Sequence, residues 1–261
     1  MGKYLLAIWQ CRYFWLSLVR MDLRTRYRRS VLGVGWSLLH PIAMTVIICI
    51  VFPRFFKGVD IHEYAPFVLA GLACWNYILF VTLQGCQCFY LGEMYIRQFP
   101  APMAIFPLRT ALGGTIHFLI ALTVVIGVAW IFQGSVSPVA LLSLVPVLVL
   151  LFIFVWSLAV LAGLANLFFN DTQHLCEIAF QILFYATPIM YAADMLTGSR
   201  LGKVIQLNPF GIFMSLIREP ILKQRMAPWS SYAWACLIVI IFATAASFFL
   251  ARLQRKLIFR L

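Results

Sequence analysis

Acidic side chains are scarce in this sequence: eight Asp and Glu stand against twenty Lys and Arg in 261 residues, with four histidines. That scarcity removes several kinds of chemistry. Acid/base catalysis needs converging carboxylates or a histidine beside an acid. The acids here, Asp22, Asp60, Glu63, Glu93, Asp171, Glu177, Asp194 and Glu219, fall in loops or near the ends of apolar stretches. A carrier coupled to protons or sodium buries carboxylates in mid-membrane, so ion coupling loses ground too. The one cluster is NDTQHLCE, Asn170 to Glu177, in which Asp171, His174 and Glu177 share a helical face. Capping the helix that follows is the simpler role for Asp171. His40 and His117 lie inside apolar stretches, far apart in the chain, and are expected to make helix–helix hydrogen bonds. No catalytic residue is assigned.

A phosphate-binding loop is also missing. The nearest approach, GSRLGKV at Gly198 to Val204, has one residue too few between its glycines and closes on Val instead of Ser or Thr, so it cannot cradle ATP and hold magnesium. Cysteine pairing is absent in the same sense. Cys11, Cys49, Cys74, Cys86, Cys88, Cys176 and Cys236 are odd in number and mostly sit in apolar runs, where they read as small apolar fillers. Cys86 and Cys88 have no histidine close by, and no metal site is predicted. No cleavable leader is expected either, because Arg12, Arg20 and Asp22 interrupt the first apolar stretch; the first span is expected to stay as an anchor.

What the chain does have is apolar surface. At 64% hydrophobic and 11% charged residues it reads as an all-α polytopic membrane protein. The formal charge of +12 then points to the phospholipid surface, not to nucleic acid. A bilayer crossing takes about 20 apolar residues, and six stretches qualify: Val31 to Pro53, Tyr64 to Leu91, Thr110 to Phe132, Val139 to Phe169, Ile178 to Ala193 and Pro228 to Leu250. The fifth is short, and Pro188 permits it to be bent or re-entrant. With the N-terminus cytoplasmic, thirteen of the twenty basic residues fall on the inner side and seven on the outer, so both termini are predicted cytoplasmic.

The arginines Arg24, Arg26, Arg28 and Arg29 pin the start of the first span at anionic headgroups. Before them, Lys3 to Arg24 patterns as a helix lying in the interface plane, with Leu5, Ile8, Trp9, Leu16, Val19 and Leu23 on its apolar side. The inner loop Gly92 to Pro107 holds a possible short helix stopped by Pro100, suited to a soluble partner or to a plain turn. In the outer segment Asp194 to Ala227, Asn208 is placed to cap and Pro209 to start a helix with an apolar stripe of Phe210, Phe213, Leu216 and Ile217. Whether that segment dips into the outer face or only covers its neighbours stays open at this level.

Arg26, Tyr27, Ser30, Leu32, Gly33, Trp36, Leu39 and Pro41 together resemble the first-span motif of the type-2 ABC exporter permeases of lipid-linked polysaccharides, the O-antigen, capsule and teichoic acid exporters. The resemblance continues at Phe99, Pro100 and Pro107, at Asp171 and Thr187-Pro188, and at Asn208-Pro209. Ala101 and Asn170 depart from it, standing where the family often has a basic residue.

The resemblance implies one transmembrane domain over residues 1–261. It comprises an interface helix and basic segment (1–30), spans one to five (31–193) with a coupling loop (92–107), an outer gate segment (194–227), and span six with a basic tail (228–261). It also implies a homodimer in the bacterial inner membrane, docked on two copies of a separate nucleotide-binding subunit that carries ATP and magnesium. No cofactor is expected on this chain. Coupling to the ATPase would fall to Glu93, Tyr95, Ile96, Arg97, Phe99 and Pro100. The pyrophosphate of the carrier lipid would meet Arg20, Arg24, Arg28 and Arg29 as charge-assisted donors. Trp36, Trp75, Tyr77, Phe184 and Tyr185 would line the glycan path, since aromatic faces slide along sugars. Asn208, Pro209, Phe210 and Phe213 would form the outer gate. A permease for a small lipophilic drug or lipid, a membrane-embedded glycosyl- or acyl-transferase and a structural assembly subunit are the alternatives.

Overall fold

The computed structural model describes residues 2–28, 33–55, 60–98, 101–134, 137–191 and 208–257. Among these residues every element is helical, as expected where no water is present to satisfy a free backbone. In chain order they are α1 (Gly2–Gln10), α2 (Arg12–Tyr27), a 3-10 turn (Gly33–Gly35), α3 (Trp36–Phe55), α4 (Ile61–Gln87), α5 (Glu93–Gln98) and α6 (Ile105–Gln133). There follow α7 (Pro138–Leu142), α8 (Leu144–Phe168), α9 (Thr172–Ala186), α10 (Pro209–Leu222) and α11 (Trp229–Leu257).

Among the described residues α4, α6, the α7–α8 stretch and α11 are long and apolar enough to cross a membrane, while α3 carries only a shorter apolar core, Leu38–Val51. The fifth predicted span is displaced. It starts at Thr172 and stops at Ala186, one residue before Thr187-Pro188, because a proline cannot continue the hydrogen-bond ladder and forces the preceding residue out of helix. The fourth stretch is two helices, α7 opening on a Ser137 cap with Pro138 at its first position.

The helix α4 lies at the centre, packed against α3, α6, α8, α9 and α10. Its approach to α8 is close enough that side chains would not fit: a Cβ on Gly85 would lie 2.6 Å from the Ala159 Cα, and one on Gly163 2.7 Å from the Gly85 carbonyl oxygen. Small residues at such crossings are how membrane helices gain packing when the hydrophobic effect offers little. Beside this crossing, buried Asn166 on α8 donates from Nδ2 to the Cys86 carbonyl at 2.9 Å.

The N-terminal surface helix is two helices, broken at Cys11. Arg12, which interrupts the apolar side in sequence, stacks over the rings of Trp9 and Tyr13, and Trp15 Nε1 donates to the Ile8 carbonyl across the break at 3.1 Å. Ile8, Leu18 and Val19 are buried, whereas Trp9 and Leu16 are exposed. Asp22, the other interruption, pairs with Arg109 of α6. The apolar stripe of one continuous helix is thus corrected to two shorter faces docked on α6 and its neighbours.

A second apolar cluster, separate from the main core, gathers Phe89, Ile96, Ile105, Phe106, Leu164 and Leu250. It marks the end of the bundle where Arg20, Arg24, Arg97 and Arg109 lie, called here the basic end. The residues from Thr187 to Ile189 and the helix α10 lie at the opposite, far end.

Candidate functional site

Two constructions stand out, one at each end of α4. At the basic end, the chain turns after α4 into the short helix α5. Its inner face is anchored: Ile96 is 7% exposed among the second cluster, and the Tyr95 ring meets Phe14 of α2 edge-on, centroids 5.8 Å apart. Arg97 and Glu93 pair across one turn, Nη2 to Oε1 at 2.9 Å, an exposed contact of small energetic value that sets the outward charge pattern. Leu91 and Met94 face outward, Met94 being 72% exposed. Ile96, expected to touch a partner, is instead buried as an anchor of the helix, and the apolar side chains that face outward here are Leu91 and Met94, which sequence reasoning missed. Phe99 and Pro100 lie outside the described residues.

Beside α5, Arg20 and Arg24 on the exposed face of α2 and Arg28 just past its end lie along one open groove with Tyr13 and Ser17. Three of the four arginines assigned to the carrier lipid therefore converge; Arg29 lies outside the described residues.

The aromatic candidates divide. Trp36 and Tyr185 are exposed and Phe184 is half-buried. Trp75 and Tyr77 are buried, and their assignment to a path lining is corrected to packing. Trp75 sits among Phe180, Phe184 and Phe210 with ring centroids 5.5–5.7 Å away. Tyr77 stacks on Phe118 at 4.7 Å and hydrogen-bonds with Thr115 Oγ1 at 2.7 Å. A buried tyrosine needs such a partner for its hydroxyl.

At the far end, α10 forms as its sequence predicts. Asn208 Oδ1 accepts from the Phe210 N–H at 3.0 Å, and Pro209 occupies the first helical turn. The same Asn208 donates from Nδ2 to Thr187 Oγ1 at 2.9 Å, tying α10 to the end of α9. Phe210 and Phe213 are buried against Phe154, Phe180 and Trp75. Replacing Asn208 by Ala removes a cap and a cross-segment hydrogen bond, each about 1 kcal/mol. Together they are expected to lower the melting temperature of the detergent-solubilised chain by about 4–8 °C; Asn208→Asp, which keeps the cap, should fall by about half as much.

The residue that organises this end is Arg218, counted in sequence as an ordinary outer-loop charge. It is 7% exposed. Its Nε donates to the Phe67 carbonyl of α4 at 3.1 Å, Nη1 to the Pro188 carbonyl at 2.7 Å and Nη2 to the Ile189 carbonyl at 2.7 Å. The guanidinium also lies 3.6 Å over the Phe67 ring. The planar fork of arginine suits three acceptors in fixed directions, which a lysine could not reach together. Room for it exists because residue 71 is glycine: a Cβ there would lie 2.2 Å from Nη2. Tyr64 adds a fourth tie, donating to the Met190 carbonyl at 2.8 Å. These contacts clamp the turn after α9, and α10, onto α4. The next residue, Glu219, receives Lys223 Nζ at 2.6 Å and Arg225 Nε at 2.8 Å. Burial opposes its ionisation, yet those two hydrogen bonds hold its carboxyl below the usual carboxylate range.

Among the described residues no three His, Cys, Asp or Glu side chains converge as a metal site would need. His174 and Glu177 do meet, Nδ1 to Oε2 at 3.5 Å on an exposed surface. Asp171 occupies the N-cap position of α9 but makes no side-chain hydrogen bond to it; Thr172 Oγ1 donates to the Phe169 carbonyl at 2.5 Å.

The family described as ABC-2 type transporter matches residues 13–222. An O-antigen export system permease protein RfbA of Klebsiella pneumoniae is 26% identical over 203 residues, 77% of each chain. A second from that organism is 25% identical over 193 residues, 74% of this chain and 73% of its own. The RfbA of Myxococcus xanthus is 24% identical over 250 residues, 94% of both chains. With a family match that runs from α2 through α10, both ends of α4 included, the chain belongs to the ABC-2 type transporter family.

Proposed function

We propose that this chain is the permease subunit of an exporter that carries a lipid-linked, O-antigen-like polysaccharide across the bacterial inner membrane. It works as a homodimer whose transport is driven by two copies of a separate ATPase subunit, which hold ATP and magnesium. Each chain is one transmembrane domain of six crossings, the shorter α3 and α9 being the first and fifth, with both termini and the basic end in the cytoplasm. The observation that carries the reading is the near end-to-end similarity to an O-antigen export permease.

The geometry gives the reading a mechanism. Leu91 and Met94 offer the ATPase an apolar contact, with Glu93 and Arg97 as polar rim. The anchored Ile96 and Tyr95 pass a push on α5 into α4 and the second cluster instead of letting the helix slide. The 27 residues of α4 make a rod of about 40 Å, and its far half carries the Phe67 carbonyl held by Arg218. A rigid-body shift at the basic end therefore reaches the Asn208–Phe213 segment, the outer gate, through one helix. Arg20, Arg24 and Arg28 receive the carrier pyrophosphate, and of the five aromatics assigned to the glycan path Trp36 and Tyr185 are the exposed ones, open to a sugar chain.

The test is reconstitution in proteoliposomes with the ATPase, scoring ATP turnover against a panel of lipid-linked glycans. An O-antigen-type glycan is expected to raise turnover several-fold over empty liposomes. Stimulation by a small lipophilic drug or a bare lipid alone would transfer the reading to that class, and transport by the chain with no ATPase present would end it.

A further inference from the structure

The seven cysteines read in sequence as small apolar fillers, and all of them are free thiols. Two do more than fill space. Cys86, one residue before the end of α4, is wholly buried, and its thiol hydrogen-bonds with that of Cys176 in the second turn of α9.

The contact follows from how the two helices pack. Next along α4, Gln87 Nε2 donates to Gln173 Oε1 at 2.5 Å, and past its end the Tyr90 hydroxyl donates to Asn170 Oδ1 at 3.1 Å. As α4 runs forward through residues 86, 87 and 90, its partners run backward through 176, 173 and 170, the register of an antiparallel pair. Cys88 turns away from this seam: its Sγ lies against α8, 2.9 Å from where a Cβ on Gly163 would stand, as a step of about 200° around a helix requires. The two sulfurs of the seam also differ in access. Cys176 is half-buried, whereas Cys86 is out of reach of solvent. An oxidant therefore meets Cys176 first, with Cys86 beside it as the resolving thiol, which is how redox-sensing pairs are built.

We propose that Cys86 and Cys176 are a redox modification site, closing under peroxide into a reversible disulfide that fastens α9 to α4. The Cys176 sulfur attacks one oxygen of hydrogen peroxide: an S–O bond forms, the O–O bond breaks, and the other oxygen leaves as water with the thiol proton. The Cys86 sulfur then attacks the sulfenic acid: the S–S bond forms, the S–O bond breaks, and a second water takes the Cys86 proton. Two electrons pass from the sulfurs to the peroxide, and a thioredoxin-type dithiol returns them by exchange. At the far end Arg218 already ties Pro188 and Ile189, just past α9, to the Phe67 carbonyl of α4. With the disulfide closed, α9 is held to the same helix at both ends. The assignment of the site is independent of the export reading; its effect on transport, a locked complex, rests on that reading.

Peptide mapping of the purified full chain in detergent, before and after hydrogen peroxide, tests the site. A linked Cys86–Cys176 peptide is expected, lost again on reduction, with a melting temperature about 5 °C above that of the reduced chain. Cys86→Ser removes the resolving thiol, so dimedone should label Cys176 several-fold more in that variant than in the wild type, and Cys88→Ser should form the disulfide as the wild type does. Exposed Cys236 reports that the peroxide has acted. Oxidation of Cys236 without the linked peptide, equal dimedone labelling of Cys176 with and without Cys86, or a lower melting temperature for the oxidised chain overturns the proposal. In proteoliposomes with the ATPase, peroxide is expected to cut export to a small fraction of its reduced rate, reversibly, and to spare the Cys176→Ser complex. A linked peptide with undiminished export overturns the lock, whereas absence of export by the reduced complex counts against the export reading alone.

Discussion

Arg218→Gln is expected to lower the melting temperature of the solubilised chain by about 10 °C and to stop glycan export by the reconstituted complex. The arithmetic follows from the three carbonyls. Glutamine offers one amide where arginine satisfies Phe67, Pro188 and Ile189 together, so at least two buried acceptors lose their donor. Each orphaned acceptor costs about 1–3 kcal/mol, in all about 3–5 kcal/mol, and 1 kcal/mol moves a chain of this size by about 2–4 °C. Arg218→Lys keeps the charge but not the fork and should fall between the two. Gly71→Ala tests the same clamp from the other side, since its methyl would occupy the place of Nη2. In a double-mutant cycle, Gly71→Ala and Arg218→Gln should be clearly less than additive, because the first acts by displacing what the second removes. A melting temperature within about 2 °C of the wild type for Arg218→Gln, or full additivity of the pair, would show that the far end is held by apolar packing alone.

Arg218 also shows what the sequence hides. Charge counting places every Lys and Arg outside the apolar stretches on one surface or the other, and by that rule Arg218 joins Lys223 and Arg225, which do pair at the surface with Glu219. Nothing in the local pattern separates it from them, for its partners are backbone carbonyls 29 to 151 residues away. A faint signal did exist: Arg218 directly follows the apolar stripe Phe213, Leu216 and Ile217, all buried. Where local rules suffice, the sequence was readable. The Asn208-Pro209 start of α10 is a cap plus a pre-set φ, and both act within two residues. The fifth span was misplaced because hydropathy runs on past Pro188, whereas backbone geometry stops the helix at Ala186. Trp75 and Tyr77 were misassigned for a related reason. Aromatic composition says nothing about which face of a helix turns inward, and α4, being central, turns nearly every face inward.

The basic end gives the second large effect, and there the structure reverses the choice of residue. By spacing alone Ile96 looks like the contact for a soluble partner, and Ile96→Asp like the variant that severs it. Buried in the cluster with Phe89 and Phe106, Ile96 would instead place an unpaired carboxylate in an apolar core, at about 3–5 kcal/mol, so its variant fails through loss of fold. Met94→Asp is the discriminating change. Its side chain is exposed, so the melting temperature is expected to stay within about 2 °C of the wild type. Under the proposed reading Met94 is a central apolar contact of the ATPase. A charge there should weaken capture of that subunit by about 30-fold, the factor of a 2 kcal/mol hot spot, and should uncouple ATP turnover from export. Leu91→Asp, three residues earlier in the turn before α5 and likewise exposed, should reproduce the effect more weakly. If Met94→Asp captures the ATPase and exports at the wild-type rate while Ile96→Asp does neither, α5 serves the fold alone and the ATPase docks elsewhere on the basic end.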